Sequence, residues 1–298
     1  MRMTEWRPVV AMVGTLLLAG CTSGADEDSA EEKPTGPARS ANGADGSKEA
    51  SPSSSEASAA EDEPYTMLEE HAPRTRAEAI AFVQGLSTPP DHFGAGFRKA
   101  QPYESDPDEW AVLDEECVWQ RQSLPSTALA SLTRKFELPG GEGKGPVQVS
   151  LTITVHEDTT AARRDMAVSL EEALRCPDQQ LNATERVIGL YSRADPFSEA
   201  RNGVTDDDLV ESGQFRHDGT KDALPFDWFK YRLGPVTVAA TDRIGAGHSK
   251  EEASAIASDV AQGVVYTAAE IDSIGGNRAP DGAGGKDSTG DDQAEGTR

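Results

Sequence analysis

Basic residues are outnumbered 28 to 52 by acidic ones, aromatics make up only 6% of the 298 residues, and there are three cysteines. Each scarcity excludes something. A formal net charge of −24 argues against a nucleic-acid partner and against adhesion to an anionic surface by charge alone. After the first 20 residues no apolar run approaches the roughly 20 residues that a membrane-spanning helix needs. There is no HExxH, no GxSxG and no P-loop, so no familiar zinc, serine-hydrolase or nucleotide chemistry is spelled out and no cofactor is implied. No CxxC pair is present, and no histidine stands near a cysteine at ligand spacing.

What is present begins with Arg2 and Arg7, followed by an apolar stretch from Val9 through Leu18 that Gly14 and Thr15 interrupt. This is too short to cross a ~30 Å hydrocarbon layer and fits a signal peptide. It ends Leu18-Ala19-Gly20-Cys21, which resembles the lipobox of bacterial lipoproteins. In such a site a thiol takes a diacylglyceryl group, and small residues let a peptidase cut just before it. The resemblance implies removal of residues 1–20, lipidation of Cys21 and a stable two-chain anchor on the outer face of the cell membrane. The competing reading is an ordinary signal peptide with a chance cysteine. With Cys21 set aside, Cys117 and Cys176 remain, an even pair in an oxidising compartment and therefore an expected disulfide, against the alternative of a metal or redox pair.

Residues 21–64 form the next unit. From Thr22 to Pro64 there is no Val, Ile, Leu, Phe, Met or aromatic, with 11 acidic and 3 basic residues. Such a chain cannot bury enough apolar surface to offset its ordering entropy, so it is expected to be a disordered acidic tether with a reach of about 35–40 Å. The tail 275–298 repeats that composition. Between them, residues 65–274 suffice for a sizeable core.

Within that domain the pattern is α+β, an antiparallel sheet backed by helices. Thr75 with Glu78 is a capping box opening a helix to about Leu86, while Ser87–Pro107 reads as loop. Ala130, Leu132, Phe136 and Leu138 share one strand face, with Arg134 as the exception. Val147, Val149, Leu151, Ile153 and Val155 alternate strictly with polar residues, as in a half-buried strand. A helix capped by Thr159 or Thr160 follows, with Met166, Leu170 and Leu174 as its expected inner stripe and Pro177 as its stop. Further strands are expected at Arg186–Ser192, Leu209–Arg216, Phe226–Leu233 and Val236–Thr241. Ser249 and Glu252 form a second capping box, opening a helix with Ile256, Val260, Val264 and Val265 on its apolar side. Each half reads strand, strand, helix, without a residue-level repeat.

Candidate sites are few. Gly245-Ala246-Gly247 lacks the third glycine of a dinucleotide turn, and a capped helix start explains it, though an anion at Ser249 is an alternative. Asp206, Asp207, Asp208 and Glu211 offer calcium-type oxygens without EF-hand spacing, so solvated charge is the plainer account. Asp227 and Asp242 have no identifiable partner, and His156, His217, His248, Asp165, Glu171 and Glu172 are assigned to the surface. Phe226, Trp228, Phe229 and Tyr231 crowd one strand and make both its faces apolar. Core packing competes with a ligand pocket for these four, which are the candidate ligand-binding residues.

The layout of these elements resembles the extracytoplasmic sensor domain of actinobacterial receptor serine/threonine kinases and related lipoproteins. Trp110, Cys117 and Trp119 precede the strands, Val147–Val155 leads into a helix ending at Cys176, and Val236–Val265 closes with a strand and helix. The resemblance implies a central antiparallel sheet with helices on one side, a groove for an envelope ligand and no catalysis. It departs in cysteine count, since those domains carry two disulfides, and no binding residues are transferred. The expectation is a membrane-anchored, non-enzymatic lipoprotein that binds or senses a small molecule or envelope component. The alternatives are an accessory to a membrane or cell-wall protein and an enzyme with an unrecognised site.

Overall fold

The computed structural model describes residues 63–193, 204–218 and 223–279. The expected signal peptide, Cys21, the expected tether up to residue 62 and the tail from residue 280 lie outside the described residues. The described chain is α+β, as expected from the sequence.

Helix α1 (Arg76–Gly85) starts at the Thr75–Glu78 capping box, both reciprocal bonds being present. Ala79 and Val83 form its buried face, and Leu86 just beyond it is buried too. The following segment is more than the loop anticipated. It holds a 3₁₀ turn at Pro90–Phe93 and an edge strand, β1 (Arg98–Glu104). That strand, Arg-Lys-Ala-Gln-Pro-Tyr-Glu, has no apolar alternation because both its faces are largely exposed, and Pro102 is tolerated at a sheet edge. A separate small hairpin joins β2 (Glu109–Leu113) to β3 (Trp119–Ser123).

The main sheet continues with β4 (Ala128–Leu138) and β5 (Val147–His156), paired in the register that the alternation dictates. Helix α2 (Thr159–Arg175) follows, then a two-residue strand β6 (Gln179–Gln180), β7 (Glu185–Arg193), β8 (Asp207–His217), β9 (Leu224–Leu233) and β10 (Val236–Ile244). Helix α3 (Lys250–Gly275) closes the domain from the Ser249–Glu252 capping box. The eight strands lie in the order β1-β4-β5-β10-β9-β8-β7-β6, and every pairing is antiparallel.

Helices cover both faces of this sheet, whereas the kinase-sensor resemblance implies one side. On the first face α1 and α3 pack over Leu132, Phe136, Val149, Leu151, Ile153, Phe229 and Tyr231, with Val260, Val264, Ala268 and Ile271 facing down from α3. Arg134 reaches the same face, and its buried guanidinium donates to the carbonyls of Val83, Gln84 and Leu86. An apparent fault in the strand pattern is thus the cap of helix α1, whose last carbonyls would otherwise lack partners.

On the second face α2 lies over β5, β7, β9 and β10. Two expectations fail here. The helix cap is Asp158, whose side chain accepts from the Ala161 amide, in place of Thr159 or Thr160. The inward stripe is Ala162, Met166, Ser169, Glu172 and Ala173, while Leu170 is exposed and Leu174 is 85% exposed. Both stripes contain Met166 and differ by a rotation of about a quarter turn.

Candidate functional site

The polar set of β5, expected to meet solvent, lies beneath α2 and floors a cavity of about 330 Å³. The register aligns Ser131 with Thr154 and Thr133 with Thr152 across β4 and β5. Each pair is joined by a hydroxyl–hydroxyl bond of 2.9 Å, so these side chains satisfy one another away from bulk water. Thr237, Ala239 and Thr241 of β10 extend the floor.

Aromatic rings make the walls. Phe226 and Trp228 enter from β9, and Trp110 and Trp119 from the small hairpin, so all three tryptophans of the described residues border one space. Trp119 and Trp228 meet edge to face at 6.1 Å between centroids. The hairpin is fastened to the end of α2. Cys117 and Cys176 form the expected disulfide, the Arg175 guanidinium donates to the Asp114 carbonyl, and the Trp119 indole donates to Gln179 Oε1 at 2.8 Å. Asp114 shapes the turn that presents Cys117, accepting from the amides of Glu116 and Val118.

Charged groups gather at the α2 side. Asp165 accepts from Lys230 Nζ at 2.8 Å and Thr237 Oγ1 at 3.2 Å, and its Oδ2 stands 3.4 Å from His156 Nε2. Lys230 Nζ also donates to Ser169 Oγ at 2.8 Å and lies 3.4 Å from the Asp165 carbonyl oxygen. Burial works to raise the Asp165 pKa, but the Lys230 charge and the contact with His156 outweigh it, holding the carboxyl well below its usual range. Glu172, about two turns beyond Asp165 along α2, is only 8% exposed and lines the cavity. Its burial, with a smaller push from the Asp165 charge, lifts its pKa to about 7 against the opposing pull of Lys230. Glu211 of β8 is fully buried nearby; burial lifts it to about 7 as well, and its Oε2 has no hydrogen-bond partner. The surface assignments of His156, Asp165 and Glu172 are therefore corrected. Only the solvated side of α2 was visible as polar, whereas a helix over a polar floor has a polar underside too.

The four aromatic candidates divide between the two faces. Phe226 and Trp228 border the cavity, while Phe229 and Tyr231, 2% and 0% exposed, belong to the opposite core. Trp110, Trp119, Lys230 and the α2 acids lay outside the sequence-based choice. For the α2 residues the available signal was the 165, 169, 172 spacing, which places three polar side chains on one helix stripe.

The remaining candidates have structural roles. Asp206 and Asp207 pair with Arg232, and among the described residues no group of three or more His, Cys, Asp or Glu side chains is placed to hold a metal ion. Asp242 is fully buried on the α3 face beside Asp227, where burial first and the like charge second push its pKa to about 8. Gly245 lies against the loop of Gly145 and Pro146, where a Cβ would stand 2.5 Å from backbone atoms, so packing rather than nucleotide binding accounts for it. His217 is exposed, and His248 Nε2 lies 3.0 Å from the Gly145 carbonyl oxygen. No described helix is long and apolar enough to cross a membrane.

No family model and no curated protein matches the chain. Among solved structures, an X-ray structure of an uncharacterised protein from Mycobacterium smegmatis is similar at 11% identity, with a TM-score of 0.27 over 66% of this chain and all of that one. A likeness that distant carries no argument about fold or function.

Proposed function

We propose that this chain is a lipoprotein anchored through Cys21 on the outer face of the cell membrane, whose domain binds a small molecule or envelope component without transforming it. The observation that carries the reading is the cavity between α2, the β2–β3 hairpin and the sheet, walled by aromatics and floored by hydroxyls. A volume of about 330 Å³ lies within the range of small-ligand sites, roughly 300–1,000 Å³. An apolar cavity of about 150 Å³ accepts benzene, so this one suits a ligand of about two such rings.

The buried charges support binding rather than catalysis. Ser169 beside Lys230 has the composition of a nucleophile and base, yet Lys230 already donates to both Asp165 and Ser169. The lysine is thereby committed as a donor and is not poised to take the hydroxyl proton. A second reading, an accessory to a membrane or cell-wall protein, draws on Val168, Leu170 and Leu174, which expose apolar surface along α2.

Native mass spectrometry of the full chain extracted from its own envelope tests the proposal. A retained non-protein mass, lost on unfolding, is expected. A bare chain that crosslinks to a protein partner through α2 favours the accessory reading instead.

A further inference from the structure

Four charged side chains border the cavity, and three of them are matched. Lys230 is paired with Asp165, and Arg243 with Glu185 at 2.6 Å. Glu172 is the remainder. Its carboxylate has no hydrogen-bond or ion-pair partner among the described residues, although more than nine-tenths of the residue is buried. Its oxygens open onto the cavity, so whatever occupies that space is what completes the carboxyl. The groups that act on it electrostatically are Lys230, Asp165, Arg175 and Glu171, and it acts in turn on Glu211. Lys230 donates to Asp165 and Ser169, while Arg175 bonds Glu171 and the Asp114 carbonyl. Neither cation completes Glu172.

Resting on the reading of this cavity as a ligand site, we infer that its occupant is an organic cation, with one ammonium-type group against Glu172 and a carbon body against Trp110, Trp119 and Trp228. A bare metal ion does not fit, since calcium takes six to eight oxygens and one unmatched carboxylate stands here. An anion meets the wrong sign. A neutral apolar molecule would leave Glu172 uncompleted. Tryptophan faces attract cations through the ring quadrupole, so the walls serve both the charge and the carbon body. The net charge of −24 further enriches cations around the chain.

The same site explains how binding and protonation are linked. Burial holds the Glu172 pKa near 7, so a bound cation draws the carboxyl into its ionised form and a proton leaves. Calorimetry of the full chain with 2-phenylethylammonium and its neutral counterpart 2-phenylethanol reads this directly. At pH 8 the ammonium binds at least tenfold tighter than the alcohol. That preference shrinks severalfold by pH 5.5, and near pH 7 the ammonium releases protons, seen by comparing two buffers of different ionisation enthalpy. Glu172→Gln brings the two probes within about twofold of each other, with folding checked by circular dichroism, and the wild-type pH series gives the same answer without a variant. Equal binding of the two probes at pH 8, or a preference that survives Glu172→Gln, overturns the cation assignment. If neither probe binds while a neutral mass is retained on the native chain, the cation assignment fails and the ligand site stands. If neither probe binds and no mass is retained, both fail.

Discussion

The two faces of the central sheet are built by opposite rules. Beneath α1 and α3, alternate residues of β4, β5, β9 and β10 are large and apolar, and they interdigitate with helix side chains into one dry core. Beneath α2, the same strands present Ser131, Thr152, Thr154, Thr237 and Lys230, and the helix replies with Asp165, Ser169 and Glu172. The first face gains stability from buried apolar area, at about 25 cal/mol per Å². The second gains less that way, through a smaller cluster of Ala173, Val187, Leu190, Phe215 and Phe226, and joins its hydroxyls pairwise, leaving a space with Glu172 unmatched beside it. A face that is covered but neither dry nor filled is what a binding site requires, and the core behind it supplies the rigidity.

The largest expected effect comes from releasing the polar face. Replacing Cys117 and Cys176 with serine opens a closure between residues 59 apart, which chain-entropy arithmetic values at roughly 4 kcal/mol. For a domain of this size the melting temperature drops by roughly 8–16 °C. Because the bond ties the Trp119 hairpin to α2, hydrogen exchange should quicken in α2 and β3 before α3. Uniform loosening of both helices would show that the faces are not independent.

Acidity sharpens the contrast next. Glu172 and Glu211 hold their protons to about pH 7 when folded and release them near the ordinary glutamate value of 4.5 when unfolded. Between those values the folded state binds more protons, so stability is greatest at the acid end of the window and falls as pH rises through 7. Asp242, raised to about 8 from 3.8, adds to the fall from the other face. Glu211→Gln should recover up to about 3 kcal/mol at pH 8 and change little at pH 5, as scans at both pH values would reveal. A gain at pH 5 equal to that at pH 8 would contradict the assignment.

The smallest effect is expected at Leu174. Its side chain is 85% exposed, so Leu174→Ala should change unfolding free energy by no more than about 0.5 kcal/mol in urea. A cost of 2 kcal/mol or more would restore the stripe inferred from the sequence.

That stripe shows where sequence reading stops. Strict alternation from Val147 to Val155 was enough to locate β5, its neighbours and the dry face, because apolar burial leaves a periodic trace. Both capping boxes were legible for a similar reason, since the motif is local. The edge strand β1 and the strand β3 left no such trace, being mostly exposed, and β2 is only five residues long, too short for its alternation to stand out. The cavity was half legible. Phe226 and Trp228 stood out, but Asp165 and Glu172 looked like solvated charge, because a polar residue over a polar floor has no hydrophobic signature. Trp110 and Trp119 come to the site through the disulfide and hairpin, contacts that no local pattern encodes.

Neighbouring alanines on β10 offer the most direct test of the difference between the faces. Ala239 lines the cavity, and Ala240 sits in the dry core. Thermal unfolding and native mass spectrometry of Ala239→Phe and Ala240→Phe should separate them. The account predicts that Ala239→Phe fills the space, changes stability by less than about 1 kcal/mol and loses the bound mass. Ala240→Phe should overpack the core and cost about 3 kcal/mol or more. Equal destabilisation by both substitutions, or a bound mass that persists in Ala239→Phe, would contradict it.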